Sequence, residues 1–135
     1  MSISLVQFAE RPTSEDELQI SEIIHTFVSA LNEKNISKIS GLIDDEARIE
    51  IAFRPGVFLS KNEYLSEVER LAEHVRRFTY RNVLIRIQEN KREAVVYFDV
   101  TRKPYESITD VISSRYLRCK QNKSIWVIYE AGLIG

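Results

Sequence analysis

At 135 residues, with 44% hydrophobic and 29% charged side chains and a formal net charge of -1, the chain has the make-up of a soluble globular domain long enough to bury a core. Its lysines and arginines are interspersed with acids, which argues against the one-sided basic face of a nucleic-acid binder. A lone cysteine, Cys119, excludes an internal disulfide framework and a cysteine metal cluster, and it fits a reducing, cytoplasmic setting.

The opening segment MSISLVQFAERPT has neither a basic n-region nor an apolar run long enough for a signal peptide or a membrane span. Residues 1–13 therefore read as an arm packing on a domain that spans residues 14–135. That domain opens with Ser14 as a helix cap and Glu17 three residues on, a capping box. Ile20, Ile23, Ile24, Phe27, Val28 and Leu31 follow on one stripe at helical spacing. Asn35 is expected to cap a short second helix running through Ile43. In ARIEIAF, strict alternation sets Ile49, Ile51 and Phe53 on one face and Arg48, Glu50 and Ala52 on the other. Only the first set joins a core cheaply, so Glu50 is expected to point outward.

After the RPG loop, Ser60 and Glu63 form a second capping box. The helix they start carries Tyr64, Leu65, Val68, Leu71, Ala72 and Val75 as its buried stripe. His25 and His74 each lie more than a quarter turn from the centre of their helix's stripe, and both read as solvated. The acidic run Asp44, Asp45 and Glu46 lacks a second cluster to complete a hard-metal shell, so no metal and no cofactor are expected. VRRFTYR groups Arg76, Arg77 and Arg81 around Phe78 and Tyr80, a pattern that can hold an anion or single-stranded nucleic acid. The glutamates just upstream favour a helix exit with a solvated basic face.

Beyond residue 78 the period becomes two. A hairpin centred on Asn90 and Lys91 sets Ile87 opposite Ala94, Ile85 opposite Val96 and Val83 opposite Phe98. A second, centred on Asn122 and Lys123, sets Cys119 opposite Trp126, Leu117 opposite Ile128 and Arg115 opposite Glu130. Helices first and strands after give an α+β order.

A long amphipathic helix, a short helix, a strand following LIDDEARIEI, another helix, and three long strands ending in SIWVIYEAG resemble the nuclear transport factor 2-like superfamily over residues 14 to 132. This group includes ketosteroid isomerases, SnoaL-like polyketide cyclases and scytalone dehydratase. The resemblance implies a cystatin-like cone, a strongly bent antiparallel sheet wrapped around the N-terminal helices with an apolar cavity open at one end. Matched to the isomerases, the general-base aspartate falls on Ile51, the oxyanion tyrosine on Phe27 and its assisting aspartate on Ser113. None of these side chains can do that chemistry, so isomerase catalysis of that kind is not expected, while other lyase or isomerase chemistry stays open.

The same alignment turns Val96, Phe98 and Val100, then Ser113, Arg115 and Leu117, then Trp126, Ile128 and Glu130 into the cone. Phe27, Ile51, Phe53, Phe98, Ser113, Arg115, Trp126 and Glu130 are the expected cavity residues. Arg115, Glu130 and Ser113 form either the polar end of a ligand site or a structural ion pair at the mouth. Two functions follow: a SnoaL-like protein binding a small, mostly apolar ligand, or a non-catalytic dimerisation module whose cone is filled by side chains. The outward face carries Leu84, Val95, Tyr97, Tyr116, Val127 and Tyr129, and a homodimer through it is expected.

Overall fold

The first helix forms where its capping chemistry places it. In the computed structural model, which describes residues 4–52, 54–90 and 92–134, Ser14 Oγ accepts from the Glu17 amide at 3.1 Å and the Glu17 carboxylate accepts from the Ser14 amide at 3.0 Å. Helix α1 (Glu15–Glu33) then runs until Lys34 turns left-handed at φ 61° and its amide closes back on Ala30 and Leu31. Ile20, Ile24, Phe27, Val28 and Leu31 are buried and Ile23 half-buried. Each such large side chain taken from water contributes about 1.5–3 kcal/mol. His25 and His74 are both exposed.

Asn35 caps α2 (Ile36–Leu42), and Ile43 serves as the terminal cap rather than the last helical residue. From that residue strand β2 (Ile43–Glu50) begins, so Asp44, Asp45 and Glu46 lie on a strand and not in a turn. A two-residue β3 (Phe58–Leu59) precedes α3 (Lys61–Ala72), whose Ser60–Glu63 capping box is complete. Strands β4 (Val75–Ile87), β5 (Glu93–Pro104), β6 (Val111–Asn122) and β7 (Ile125–Leu133) finish the chain. Val75 therefore belongs to β4, and VRRFTYR is a strand that buries Phe78 and Tyr80, not a helix exit. In the N-terminal arm, β1 (Val6–Phe8) pairs in parallel with β4.

The seven strands form one curled sheet in the order β1-β4-β5-β6-β7-β2-β3, with α1 lying against β4 and α3 against β2. The fold is α+β, as the element order predicts. Ile49 and Ile51 face the core, and Glu50 turns away from it. Phe53, expected beside them, lies outside the described residues, as does Lys91.

The first hairpin pairs Ile87 with Ala94 and Ile85 with Val96 as expected. The Val83–Phe98 pair is replaced by a bulge, because Asn82 at φ 55° takes a left-handed conformation and two residues, Asn82 and Val83, face one. Asn82 Nδ2 donates to Asp99 across the bulge at 2.9 Å. Both Val83 and Phe98 remain buried.

The second hairpin departs further from expectation. Its turn residues are Lys123 and Ser124, at φ 52° and 71°, the pair of left-handed conformations that matches a tight hairpin to strand twist. The turn centre is one residue later than expected, so each partner moves by two: Cys119 faces Ile128 and Gln121 faces Trp126. A shift of two keeps every side chain on its face, and Leu117, Cys119, Trp126 and Ile128 are all buried. Beyond Ile128 a second bulge leaves Tyr129 unpaired and sets Arg118, not Arg115, opposite Glu130. Arg115 instead faces Leu133.

Candidate functional site

Side chains from five elements and from the segment after β2 converge beside α3. An outer chamber of about 70 Å³ is walled by Leu31 of α1, Tyr64, Val68 and Leu71 of α3, Ile51 and Ala52 after β2, Phe78 and Tyr80 of β4, Val100 and Arg102 of β5, and Arg115 of β6. An inner chamber of about 20 Å³, room for about one water or methyl group, lies between Phe27, Ile43, Ile49, Leu117, Ile128 and Ala131. Tyr64, Tyr80 and Arg115 line both chambers and mark the waist between them.

The waist is also where the polarity lies. Burial pushes the Tyr64 phenol up to about 12, opposed by the nearby charge of Arg115. Tyr80 is raised by burial and by Tyr64, again opposed by Arg115. Both hydroxyls therefore stay protonated at neutral pH and can donate. Burial and the charge of Arg115 act together to lower Arg102, yet a guanidinium remains charged under any ordinary condition. The described lining residues include two arginines and no carboxylate or histidine.

Arg115 is held by its Nη2, which donates to the Glu50 carbonyl. The Glu50 carboxylate, though turned from the core, accepts from the amides of Gly56 and, at 3.0 Å, Leu133. These bonds, with that from Leu133 leading, hold its carboxyl below the ordinary glutamate value of 4.5. Since the folded value is the lower one, Glu50 stabilises the fold fully above its unfolded pKa and loses that contribution as pH falls through the folded one. Glu50→Ala is expected to cost about 1 kcal/mol at neutral pH, chiefly by leaving the half-buried Leu133 amide without its partner. In urea titrations the gap between variant and wild type should shrink on the acid limb, and a gap constant down to pH 3 contradicts the assignment.

Of the expected cavity residues, Phe27 lines the inner chamber, Ile51 the outer and Arg115 both. Phe98 is buried behind Tyr80, stacked on it with centroids 4.2 Å apart. Trp126 is buried in the core away from both chambers, and Ser113 is half-buried opposite Val100 outside them. Glu130 is a correction: the bulge at Tyr129 swings it to the outer face, where it pairs with Arg118 at 3.1 Å and accepts from Tyr116 at 3.0 Å. The Arg115–Glu130 pair is not formed. With Arg118 about half exposed, Glu130→Ala should cost at most about 1 kcal/mol in a thermal melt. A loss above 3 kcal/mol would contradict this outward placement.

Three polar lining residues escaped the sequence reading, as did Phe78, and Ala52, expected on the outward face, lines the outer chamber. Arg102 is reached by extending the inward set Val96, Phe98 and Val100 one further step. Tyr64 stood in the buried stripe of α3, and Tyr80 inside a segment that reads as basic surface. The acidic run is engaged elsewhere, with Asp45 on Lys61 at 3.0 Å and Asp44 on Lys120 at 3.6 Å. Among the described residues no cluster of histidine, cysteine or acid could hold a metal, and no helix is long and apolar enough to cross a membrane.

No family model and no curated protein matches the chain by sequence. Solved structures do match its fold. A protein of unknown function with a cystatin-like fold from Nostoc punctiforme superposes with a TM-score of 0.72 at 15% identity, covering 92% of this chain and 93% of that one. A nuclear transport factor 2-like protein from Cytophaga hutchinsonii gives a TM-score of 0.72 at 16% identity over 90% of this chain and all (100%) of that one. A candidate scytalone dehydratase from Novosphingobium aromaticivorans gives 0.69 at 13% identity over 86% and 80%. The fold is thus the nuclear transport factor 2-like, cystatin-like cone.

Proposed function

We propose that the protein binds a small, mostly apolar molecule in the outer chamber of the cone, with Ile51 and Arg115 among the residues that receive it and Phe27 beyond them in the inner chamber. The observation that carries this reading is the waist, where Tyr64, Tyr80 and Arg115 converge on otherwise apolar walls. A few convergent polar groups in an apolar cleft are the usual form of a small-molecule site. With Ile51 on the wall there is no side chain there to accept a proton, so the reading is binding without isomerase-type acid-base catalysis. Residues 14–135 would carry the site while β1 of the arm completes the sheet, in a cytoplasmic setting that suits the buried thiol of Cys119. Toluene titrated against methyl NMR signals tests the site: shifts confined to Ile51, Val68, Leu71 and Val100 support it, and none at millimolar toluene overturns it.

A second reading has its own support. Tyr97 is 42% exposed in the middle of the outer face formed with Leu84, Val95, Tyr116, Val127 and Tyr129, more aromatic surface than water normally covers. On this reading two copies pair through that face, and the protein works as a dimerisation module whose cone is largely filled. Light scattering that finds a dimer at micromolar concentration, converted to monomer by Tyr97→Arg, supports the pairing. A wild-type monomer at that concentration overturns it.

A further inference from the structure

We infer that the ligand of the cone carries a carboxylate, received by Arg115 between the hydroxyls of Tyr64 and Tyr80, with its apolar body in the outer chamber. This rests on the small-molecule reading above and adds the chemical class of the ligand.

Both ionised groups in the described chamber walls, Arg102 and Arg115, are positive, and no acid stands among them. Arg115 makes no ion pair within 4 Å among the described residues: Glu130 lies on the other face, and the Glu50 carboxylate, which feels the charge of Arg115, is engaged by the Gly56 and Leu133 amides. A guanidinium taken partly out of water is stabilised best by an anion that accepts two parallel N–H bonds, the geometry a carboxylate supplies. One donor of Arg115 is committed to the Glu50 carbonyl, which fixes the side chain across the waist and leaves its other N–H groups to the chambers.

Tyr64 arrives from α3 and Tyr80 from β4, so two independent elements bring hydroxyls to the same point as the guanidinium. Burial keeps both protonated, and as donors they suit an acceptor-only group. A neutral amide of the same shape lacks the charge and offers one acceptor and two donors, for which the tyrosine oxygens are the weaker match because each must then accept rather than donate. The site therefore discriminates by charge and by donor count, while Leu31, Val68 and Leu71 accept any small apolar body.

Benzoate, benzamide and toluene separate the possibilities, because they share one ring and differ only in the head group. In calorimetric titrations of the wild-type chain at neutral pH, benzoate should bind at least about 10-fold more tightly than benzamide. The same NMR shifts at Ile51, Val68 and Val100 should locate it in the outer chamber. Arg115→Met should abolish the preference, bringing benzoate down to the affinity of benzamide. If that variant does not fold, Tyr64→Phe carries the test, with benzoate about five-fold weaker. Equal affinities for benzoate and benzamide, benzoate bound outside the chamber, or benzoate unaffected by Arg115→Met or Tyr64→Phe overturns the carboxylate while leaving the cavity reading intact. Failure of all three compounds to bind overturns both.

Discussion

Phe98→Ala is expected to destabilise the protein by about 3–5 kcal/mol, the range for truncating a well-packed aromatic. The ring is 3% exposed and stacks nearly parallel on Tyr80, with an interplanar angle of 14°. It sits beside Arg115 in the β5–β6 ladder, at the level of the waist. Removing it leaves a void that β5 cannot close, because Val96 and Val100 on either side are held in the same buried row. Urea denaturation should show a lower midpoint with an unchanged slope. The void opens next to Tyr80, so the variant should also take larger apolar probes than the wild type. A loss under about 1.5 kcal/mol would mean that the ring packs loosely behind Tyr80.

The second large effect is expected at Asn32, where Asn32→Ala should cost about 2–3 kcal/mol. Its side-chain amide donates to the Phe78 carbonyl at 3.0 Å and to Val28 at 2.8 Å, and its oxygen accepts from the Phe78 amide at 2.9 Å. One side chain thus satisfies both backbone groups of a residue on β4 from the far side of the α1–β4 interface. Alanine would leave that amide and carbonyl without partners in a half-buried place. Asn32→Asp keeps the acceptor and loses the donors, so it should fall between alanine and wild type. Hydrogen exchange at the Phe78 amide provides the local check, with faster exchange in alanine than in aspartate. Exchange unchanged in both variants would show that the pin is not used.

What the sequence made legible was whatever depends on period or on near neighbours. Ser14 and Ser60 announced their helices because a capping box is written within four residues. Ile49 and Ile51 could be turned inward because a strand alternates and only one of its faces was apolar. The faces of Leu117 and Trp126 survived a misplaced turn because a slip of two residues preserves orientation. What stayed hidden has a common physical cause. The bulges at Asn82 and Tyr129 interrupt the alternation, and no local pattern marks where they occur. Lys123 and Ser124 make a hairpin turn without the glycine that usually marks one. Asn32 matters only because β4 passes beside it, and Tyr64, Tyr80 and Arg115 meet only when three distant segments are folded together.

The bulge at Tyr129 also bears on how chain length could vary through descent. Elsewhere in β7, loss of one residue would reverse the facing of everything after it, taking Ala131 out of the core. At Tyr129 the extra residue has already been absorbed, since Ile128 faces Cys119 and Glu130 faces Arg118 on either side of it. Deleting that one codon would restore a regular ladder with Ile128 and Ala131 still inside and Glu130 still outside. The position is therefore a neutral point for insertion and deletion, where relatives could differ by one residue while keeping the same interior.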